Sequence, residues 1–533
     1  MYGRRRPLII STVILLAGAV AVVHFGGVNG AVTAHAQSEH APAPAFPATM
    51  PLPADVAWAK ILISANGHLA FATRDAEGIT RVWWDGKVYA THPATETIYC
   101  PPYAVGCIVG PRSSLTLSAD GARIGYLLDV QEPADSQVVD PAAPRRRIMV
   151  IDGKRSGEYL DATPPIFSAD GTQVAYAAHE QDAGWRVWRN GVPGPSFERI
   201  TLRDGGGLRA GPPNDPGFSA DGRHFCYVGY RKDGYYAVVD DTEYGPYRDI
   251  FGLTFAGDGR GKHLFGFIAV SVDNYRDSMA VVVDGEAQPS STDIDGPVFS
   301  DDGNHLAYIG NRGRERDRRE SYLVRDGQES KLEQMSMLGM PPRLSHDGKH
   351  VAYLTRDETT TSWFLDDPRL FSLEEFHGAR FLSWTPDGES IVFIHDNTLS
   401  VRGKVTADYP HVPYYWRDYT FTPDGTLAYV CRTDDGKRQV VVGDRAYPPV
   451  DGDVDALTIL PGGDVLYAVR PQTPEGRRTD GINVYVNDTL HGSYEIMLPF
   501  PYDIQQRFFV DAPDRVHYFA IRDGLIHRVE VAL

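Results

Sequence analysis

The chain has 533 residues, of which 42% are hydrophobic and 23% are charged, and its formal net charge at pH 7 is -18. This is the composition of a folded globular protein, so disordered and fibrous architectures are excluded. The excess of acidic residues argues against nucleic acid as a partner, because phosphate binding needs clustered cations that release counterions.

The first 36 residues have the pattern of a secretory signal. Three arginines at positions 4–6 precede an apolar run over residues 7–23, and Ala34-His35-Ala36 is a small-residue cleavage site before Gln37. We therefore predict a signal peptide at 1–36 and a periplasmic or secreted protein. The alternative is an uncleaved segment that anchors the protein in a membrane, because the apolar run is just long enough to span a bilayer when tilted.

Residues 37–54 are rich in proline and alanine, which is typical of a semi-extended linker. Export would place the four cysteines in an oxidising compartment. Cys100 and Cys107 flank the sequence PPYAVG, so we predict a disulfide between them that closes a small loop. Cys226 and Cys431 lie in apolar strand patterns, and we interpret them as buried structural thiols.

One short segment recurs along the rest of the chain, and each copy reads as strand, tight turn, strand. The Asp-Gly pair supplies the positive φ that a two-residue hairpin turn requires. Weaker copies begin at residues 63, 255 and 460, and a degenerate eleventh copy begins at Phe509. The clear copies are LSADGARIGY (117–126), FSADGTQVAY (167–176), FSADGRHFCY (218–227), FSDDGNHLAY (299–308), LSHDGKHVAY (344–353), WTPDGESIVF (384–393) and FTPDGTLAY (421–429).

A second hairpin follows most copies, as in MAVVVDGEA (279–287) and SYLVRDGQES (321–330). Two hairpins make a four-stranded antiparallel unit, which has the length of one propeller blade. No stretch of the sequence has apolar residues at the 3.6-residue period of an amphipathic helix over a length that would predict a helix in place of the strands. The sequence therefore predicts an all-β fold, a β-propeller of about ten or eleven four-stranded antiparallel blades.

The F-S-x-D-G…A-Y signature followed by V-V-x-D-G resembles the TolB-like β-propeller repeats, which are related to the WD repeat. The resemblance covers residues 55–533. It implies the propeller fold and says little about function, because unrelated functions are built on the same fold.

Eleven units exceed the usual four to eight blades of a propeller. We therefore favour two rings, a first propeller of about five blades over 55–295 and a second of about six blades over 296–533. One large ring is the alternative. Residues 55–63 resemble a fourth strand, and we predict that this N-terminal strand completes the last blade and protects its edge.

The two kinds of Asp-Gly turn are expected to lie on one face of the ring, and the other connections on the opposite face. Long loops gathered on one side of a rigid scaffold are where binding sites usually occur. We place the long insertions on that opposite face: 92–115, 127–147, 201–216, 309–320 and 469–481.

Three of these loops are rich in arginine, whose guanidinium group suits carboxylates and phosphates. We predict that they contact an anionic partner; the alternative is a solvated loop whose charges Glu315, Asp317 and Glu320 balance. Three aromatic residues between two repeats are further candidates for partner binding, with packing between blades as the alternative. The candidates are Arg145, Arg146, Arg147, Arg312, Arg314, Arg316, Arg318, Arg319, Arg477, Arg478, Tyr414, Tyr415 and Trp416.

The sequence singles out no nucleophile with a base, no metal-ligand set and no cofactor motif. The histidines that recur after the turns, such as His305 and His350, belong to different repeats and are interpreted as polar residues at strand starts. We therefore predict an exported, non-enzymatic scaffold that binds a protein, peptide or envelope glycan. The alternative is a propeller-fold enzyme acting on glycans, a hydrolase or a lyase, whose residues are scattered among the blades.

Overall fold

The computed structural model describes most of the chain beyond residue 48, so the predicted signal peptide and most of the predicted linker lie outside it. Within the described part every regular element is a strand, and no helix there is long and apolar enough to cross a membrane. The described residues are 49–51, 61–64, 66–99, 114–130, 146–201, 217–257, 259–271, 279–313, 320–336, 339–356, 361–366, 369–372, 380–395, 398–404, 407–410, 419–422, 424–460, 462–472, 481–498, 507–512 and 514–533.

The strands of the described residues form eleven antiparallel sheets, which follow one another along the chain and are called blades 1 to 11. The first strand of blades 2, 3, 4, 7 and 11 is split into two short pieces that pair with the same second strand. Blade 1 contains Leu62–Ile63, Leu69–Arg74, Thr80–Trp84 and Lys87–His92; blade 2 contains Glu96–Ile98 with Thr116–Leu117, then Ile124–Val130, Arg146–Ile151 and Lys154–Tyr159; blade 3 contains Asp161–Ala162 with Ile166–Phe167, then Val174–Glu180, Gly184–Arg189 and Val192–Phe197; blade 4 contains Arg199–Thr201 with Gly217–Phe218, then Phe225–Arg231, Gly234–Val239 and Thr242–Tyr247.

The middle blades repeat the same order. Blade 5 contains Asp249–Phe255, Phe265–Val270, Met279–Val283 and Glu286–Ala287; blade 6 contains Asp293–Phe299, Leu306–Arg312, Glu320–Arg325 and Gln328–Lys331; blade 7 contains Met335–Ser336 with Arg343–Leu344, then Val351–Arg356, Thr361–Leu365 and Arg369–Ser372; blade 8 contains Arg380–Trp384, Ser390–His395, Thr398–Gly403 and Ala407–Tyr409.

The last blade differs because it takes its fourth strand from the other end of the chain. Blade 9 contains Tyr419–Phe421, Leu427–Arg432, Arg438–Val442 and Arg445–Ala446; blade 10 contains Gly452–Ile459, Val465–Pro471, Ile482–Val486 and Thr489–Tyr494; blade 11 contains Ile496–Leu498 with Phe509–Ala512, then Arg515–Arg522, Leu525–Ala532 and, from the N-terminal part, Thr49–Pro51.

The second strand of each blade is the most buried, because neighbouring blades cover both of its faces. Leu306–Arg312 of blade 6 is buried at six of its seven positions, whereas the fourth strand of the same blade, Gln328–Lys331, is exposed throughout. A strand covered on both faces is a continuous apolar run, and an outer edge strand is polar. The first strands therefore face the ring axis and the fourth strands form the outer rim.

Eleven hydrophobic clusters hold the described blades together, and each cluster joins two consecutive blades. Ile268 of blade 5 packs with Tyr308 of blade 6, so the core continues across residue 295. Leu69 of blade 1 packs with Phe519 of blade 11, which closes the series. Eleven blades with eleven interfaces form one ring around a common axis, and our preference for two rings was wrong.

The ring closes by strand pairing as well as by packing. Thr49–Pro51 pairs antiparallel with the third strand of blade 11, with Thr49 opposite His527. Leu62–Ile63, which lies in the segment expected to complete the last blade, is instead the first strand of blade 1. The closing strand therefore lies about ten residues nearer the N-terminus than the expected segment.

In blade 6 hydrogen bonds join the two Asp-Gly turns. Ser300 Oγ donates to Asp302 Oδ1 over 2.5 Å within the first turn. Asp326, in the second turn, has φ 51° and accepts a hydrogen bond of 2.9 Å from the Leu306 amide. The other oxygen of Asp326 lies 2.8 Å from His305 Nδ1. The same His–Asp pair recurs in blades 1, 4, 5 and 7, which explains the repeated histidines without a metal ion.

The turns of neighbouring blades also touch, and a glycine makes this possible at the seam of the ring. Gly67 of blade 1 has φ 79°, and a Cβ atom at this position would overlap the imidazole of His517 in blade 11. His517 is only 1% exposed, and its Nδ1 lies 2.9 Å from both oxygens of Asp511. Burial lowers the pKa of His517 below its ordinary value of 6.5, so the ring is neutral at neutral pH.

Candidate functional site

The end of the ring that carries the first-to-second and third-to-fourth strand turns is called the turn face, and the opposite end the insertion face. The segments 131–145, 314–319 and 473–480 lie outside the described residues, and the ends of the second and third strands that flank them are at the insertion face. The segments 100–113 and 202–216, also outside the described residues, are inserted elsewhere. They interrupt the first strands of blades 2 and 4, between two short pieces that pair with the same second strand. These two insertions therefore start at the axial side of the ring.

The base of the insertion in blade 2 is rigidly held. Ser114 donates its amide hydrogen to the Tyr99 carbonyl over 2.9 Å, and its hydroxyl accepts a hydrogen bond of 3.0 Å from the Leu127 amide. In blade 3 Thr163 alone holds the corresponding residue of the second strand: its amide donates to the Ala177 carbonyl over 2.9 Å, and its hydroxyl accepts a hydrogen bond of 3.0 Å from the Ala177 amide. The two pieces of the first strand are joined by residues 163–165 in blade 3 and by residues 99–115 in blade 2. The same scaffold position thus carries a minimal connection in one blade and a long insertion in the next.

Arg147 is placed at the foot of this insertion, between blades 2 and 3. Its side chain is 10% exposed and pairs with Asp129 over 3.2 Å and with Asp161 of blade 3. A further hydrogen bond of 3.1 Å goes to the Ala162 carbonyl. The guanidinium carbon lies 3.7 Å from the centroid of the Tyr99 ring. Arg147 therefore positions the inner strands, and its guanidinium group is occupied within the chain.

The two other described arginine candidates lie at the insertion face. Arg146 is 53% exposed and pairs with Glu158 over 2.9 Å. Arg312 of blade 6 pairs with Glu329 and stacks on Tyr322 at 4.6 Å. The remaining candidates, and the predicted Cys100–Cys107 disulfide, lie outside the described residues: Arg145, Arg314, Arg316, Arg318, Arg319, Arg477, Arg478, Tyr414, Tyr415 and Trp416. Cys226 is a buried free thiol, and burial raises its pKa to about 12.

A row of side chains that the sequence analysis missed lies at the insertion end of blade 4. Arg199, Tyr230, Tyr235 and Tyr247 stand directly opposite one another on the four successive strands of the blade. Arg199 lies 4.3 Å from the centroid of the Tyr230 ring, and the Tyr230 and Tyr235 rings are 5.0 Å apart. The four residues belong to separate repeats of the sequence pattern, and strand register alone brings them into one row.

A chain of hydrogen bonds between blades 1 and 2 has the residue types of acid–base chemistry. Arg155 holds Glu96 over 2.6 Å, Glu96 contacts His92 Nδ1 over 3.2 Å, and His92 Nε2 lies 3.0 Å from the Tyr126 hydroxyl. The pairing with Arg155 holds the pKa of Glu96 below its ordinary value, and burial lowers that of His92. Burial also raises the pKa of Tyr126, whose side chain is 1% exposed. A phenol so enclosed serves packing between the blades.

The acidic run at residues 451–455 is also explained by contacts within the chain. Asp453 pairs with Arg438 over 3.2 Å, and Asp455 with Arg470 over 2.7 Å. No group of three or more potential metal ligands comes together in the described part of the chain. The Asp453 carboxylate thus links blade 10 to Arg438 of blade 9, and the Asp455 carboxylate pairs with Arg470 within blade 10.

Comparison with known proteins gives no family. No family model matches the chain, and no curated protein matches it. Solved structures similar to part of it include the β-propeller domain of the Trilobed protease from Pyrococcus furiosus, with 13% identity over 63% of this chain and 96% of that chain and a TM-score of 0.24. TolB from Acinetobacter baumannii has 16% identity over 51% of this chain and 75% of its own chain, with a TM-score of 0.21. The acylaminoacyl peptidase of Pyrococcus horikoshii has 12% identity over 66% of this chain and 56% of its own chain, with a TM-score of 0.23. Scores this low carry no argument, and the propeller assignment rests on the chain's own strand pairing and core clusters.

Proposed function

We propose that this protein is an exported, non-enzymatic binding scaffold of the TolB-like propeller type, which holds a protein, peptide or envelope glycan where the axial side of the ring meets its insertion face. The observation that carries the proposal is the pair of long insertions at the axial side of blades 2 and 4. Blade 3, which separates them, has the minimal connection, so both insertions border the same stretch of the ring. The signal-like N-terminus supports export, and the repeat signature supports the relationship to TolB-like propellers.

The rigidity of the insertion bases supports the same reading. A loop that binds a partner loses less conformational entropy when a fixed scaffold holds its two ends. The Tyr99–Ser114 hydrogen bond and the buried Arg147 fix the base in blade 2. Arg146 and Arg312 lie at the insertion face. Because a surface salt bridge contributes little stability, each of these arginines can exchange its carboxylate partner for a carboxylate or phosphate of a ligand.

The structure offers a direct test by shortening the insertions. Deletion of residues 100–113 shortens the connection within the first strand of blade 2 to the length that it has in blade 3. Deletion of residues 204–215 leaves a connection of three residues within the first strand of blade 4. We expect both deletions to abolish capture of the partner in a cross-linking pull-down from envelope extract with residues 37–533. The thermal midpoint should change little, because blade 3 shows that the scaffold tolerates the short connection.

The control is Arg445→Gln, which removes an exposed cation next to Tyr447 on the turn face. This variant should capture the partner as the unaltered protein does. Arg146→Gln combined with Arg312→Gln should weaken capture about tenfold if the partner is anionic, since a charge-assisted hydrogen bond contributes about 1.5–3 kcal/mol. Equal capture by the deletion variants and the unaltered protein would overturn the proposed location of the site.

A further inference from the structure

The row Arg199–Tyr230–Tyr235–Tyr247, called the blade 4 row, faces the cleft between blades 4 and 5. Tyr235 and Tyr247 pack on the cluster that joins these two blades. Tyr247 contacts Phe267 of blade 5 at 5.7 Å between ring centroids, which fixes the outer end of the row. Tyr230 and Tyr235 are half-buried, and Arg199 at the axial end is exposed. The row therefore passes from half-buried aromatic rings to an exposed cation.

Arg199 differs from the other stacked arginines that the structure describes near this site. Arg147 and Arg231 pair with carboxylates, and Arg312 pairs with Glu329. Within the described residues Arg199 has its stack on Tyr230 and no carboxylate partner. The stack orients the guanidinium plane, so its hydrogen-bond donors are held ready for an anion from outside.

Two adjacent aromatic rings beside an oriented guanidinium fit an acidic sugar. The Tyr230 and Tyr235 rings are tilted by 58° to each other, so each ring offers its own apolar face with a hydroxyl group at the edge, which matches a sugar ring with its C–H face and hydroxyl rim. The guanidinium fork matches a carboxylate bidentately. Insertion 202–216 begins three residues after Arg199, on the same inner strand, so the row is continuous with the face that the proposed function uses.

We propose that the blade 4 row binds a carboxylate-bearing polysaccharide, with Tyr230 and Tyr235 stacking on sugar rings and Arg199 holding a sugar carboxylate. This inference rests on the proposed function and names the ligand class for part of that face. A neutral polysaccharide would leave Arg199 unused, and an acidic peptide would not need the two adjacent rings.

Affinity electrophoresis or calorimetry with alginate as the probe tests the proposal, with dextran as the neutral polysaccharide and poly-L-glutamate as the acidic polypeptide. We expect residues 37–533 to bind alginate and neither of the others. Arg199→Gln should weaken alginate binding at least tenfold, and Arg199→Lys less, because lysine keeps the charge but loses the fork. Tyr230→Leu should weaken it also, with its thermal midpoint measured to confirm folding.

Arg445→Gln is the matched control, because Arg445 is an exposed arginine stacked on Tyr447 at 4.5 Å but on the turn face. It should leave alginate binding within twofold. An equal loss of alginate binding in both arginine variants would overturn the proposal in favour of unspecific charge attraction. Binding of poly-L-glutamate in place of alginate would show that the ligand is an acidic polypeptide and not a polysaccharide, which also overturns the proposal. If no polysaccharide binds while the insertion deletions still abolish partner capture, this inference fails and the proposed function stands.

Discussion

Arg147→Ala is expected to lower the free energy of unfolding by about 3 kcal/mol, because removal of one partner from a buried ionic group leaves uncompensated charges behind. Asp129 and Asp161 lie on different blades, and both would lose the same guanidinium group. The Tyr99 ring would lose the cation that covers it at 3.7 Å. Urea unfolding at neutral pH measures the effect.

The neighbouring residue provides the control. Arg146 is 53% exposed and pairs with an exposed glutamate, so Arg146→Ala should change the same free energy by no more than about 1 kcal/mol. Adding Asp161→Asn to the Arg147→Ala variant should recover part of the lost stability, because it removes one unpaired charge. If the two alanine variants were equally stable, Arg147 would not hold blades 2 and 3 together.

Gly67→Ala is expected to destabilise the protein by about 2–5 kcal/mol. Alanine at φ 79° carries a conformational cost of about 1–2 kcal/mol. In addition, the new Cβ would overlap the His517 ring, and overpacking costs a further 1–3 kcal/mol, roughly. Because Gly67 belongs to blade 1 and His517 to blade 11, the second part of the cost exists only in a ring that closes between these blades. Differential scanning calorimetry and urea unfolding measure it.

Gly191→Ala separates the two costs. Gly191 has φ 80°, and a Cβ there meets no described atom within 4 Å, so the conformational cost alone should remain. In a His517→Ala background, Gly67→Ala should cost no more than Gly191→Ala does, because the obstacle has been removed. Equal effects of the two glycine substitutions in the unaltered protein would contradict the contact between the first and last blades.

The repeated hairpins were predictable because their cause is local. An Asp-Gly pair between alternating apolar residues specifies a turn by backbone conformation, and the described blades place Gly121, Gly171 and Gly222 at positive φ in these turns. The number of rings was not predictable in this way. It depends on the angle between neighbouring blades, which many contacts across eleven interfaces determine together. The packing of Ile268 on Tyr308 leaves no boundary near residue 295.

Which candidate arginine is buried was not predictable either, for a related reason. Arg146 and Arg147 are adjacent and point to opposite sides of one strand, and both sides of a blade are covered by neighbours, so alternation does not tell which arginine is buried. The insertions 92–115 and 201–216 were assigned to the wrong connection, because the half-strands Thr116–Leu117 and Gly217–Phe218 are too short to be recognised from sequence. The blade 4 row depends on the pairing of four strands, which no local pattern reveals.

Closure of one ring by the N-terminal strand is tested most directly by a disulfide between Thr49→Cys and His527→Cys, which face each other across the strand pair. We expect this bond to form quantitatively on mild oxidation and to appear as an intramolecular cross-link in peptide mass spectrometry. The comparison variant pairs Thr49→Cys with Glu286→Cys in the fourth strand of blade 5, a blade with which the N-terminal strand does not pair. A cross-link to residue 286 and none to residue 527 would contradict the single ring.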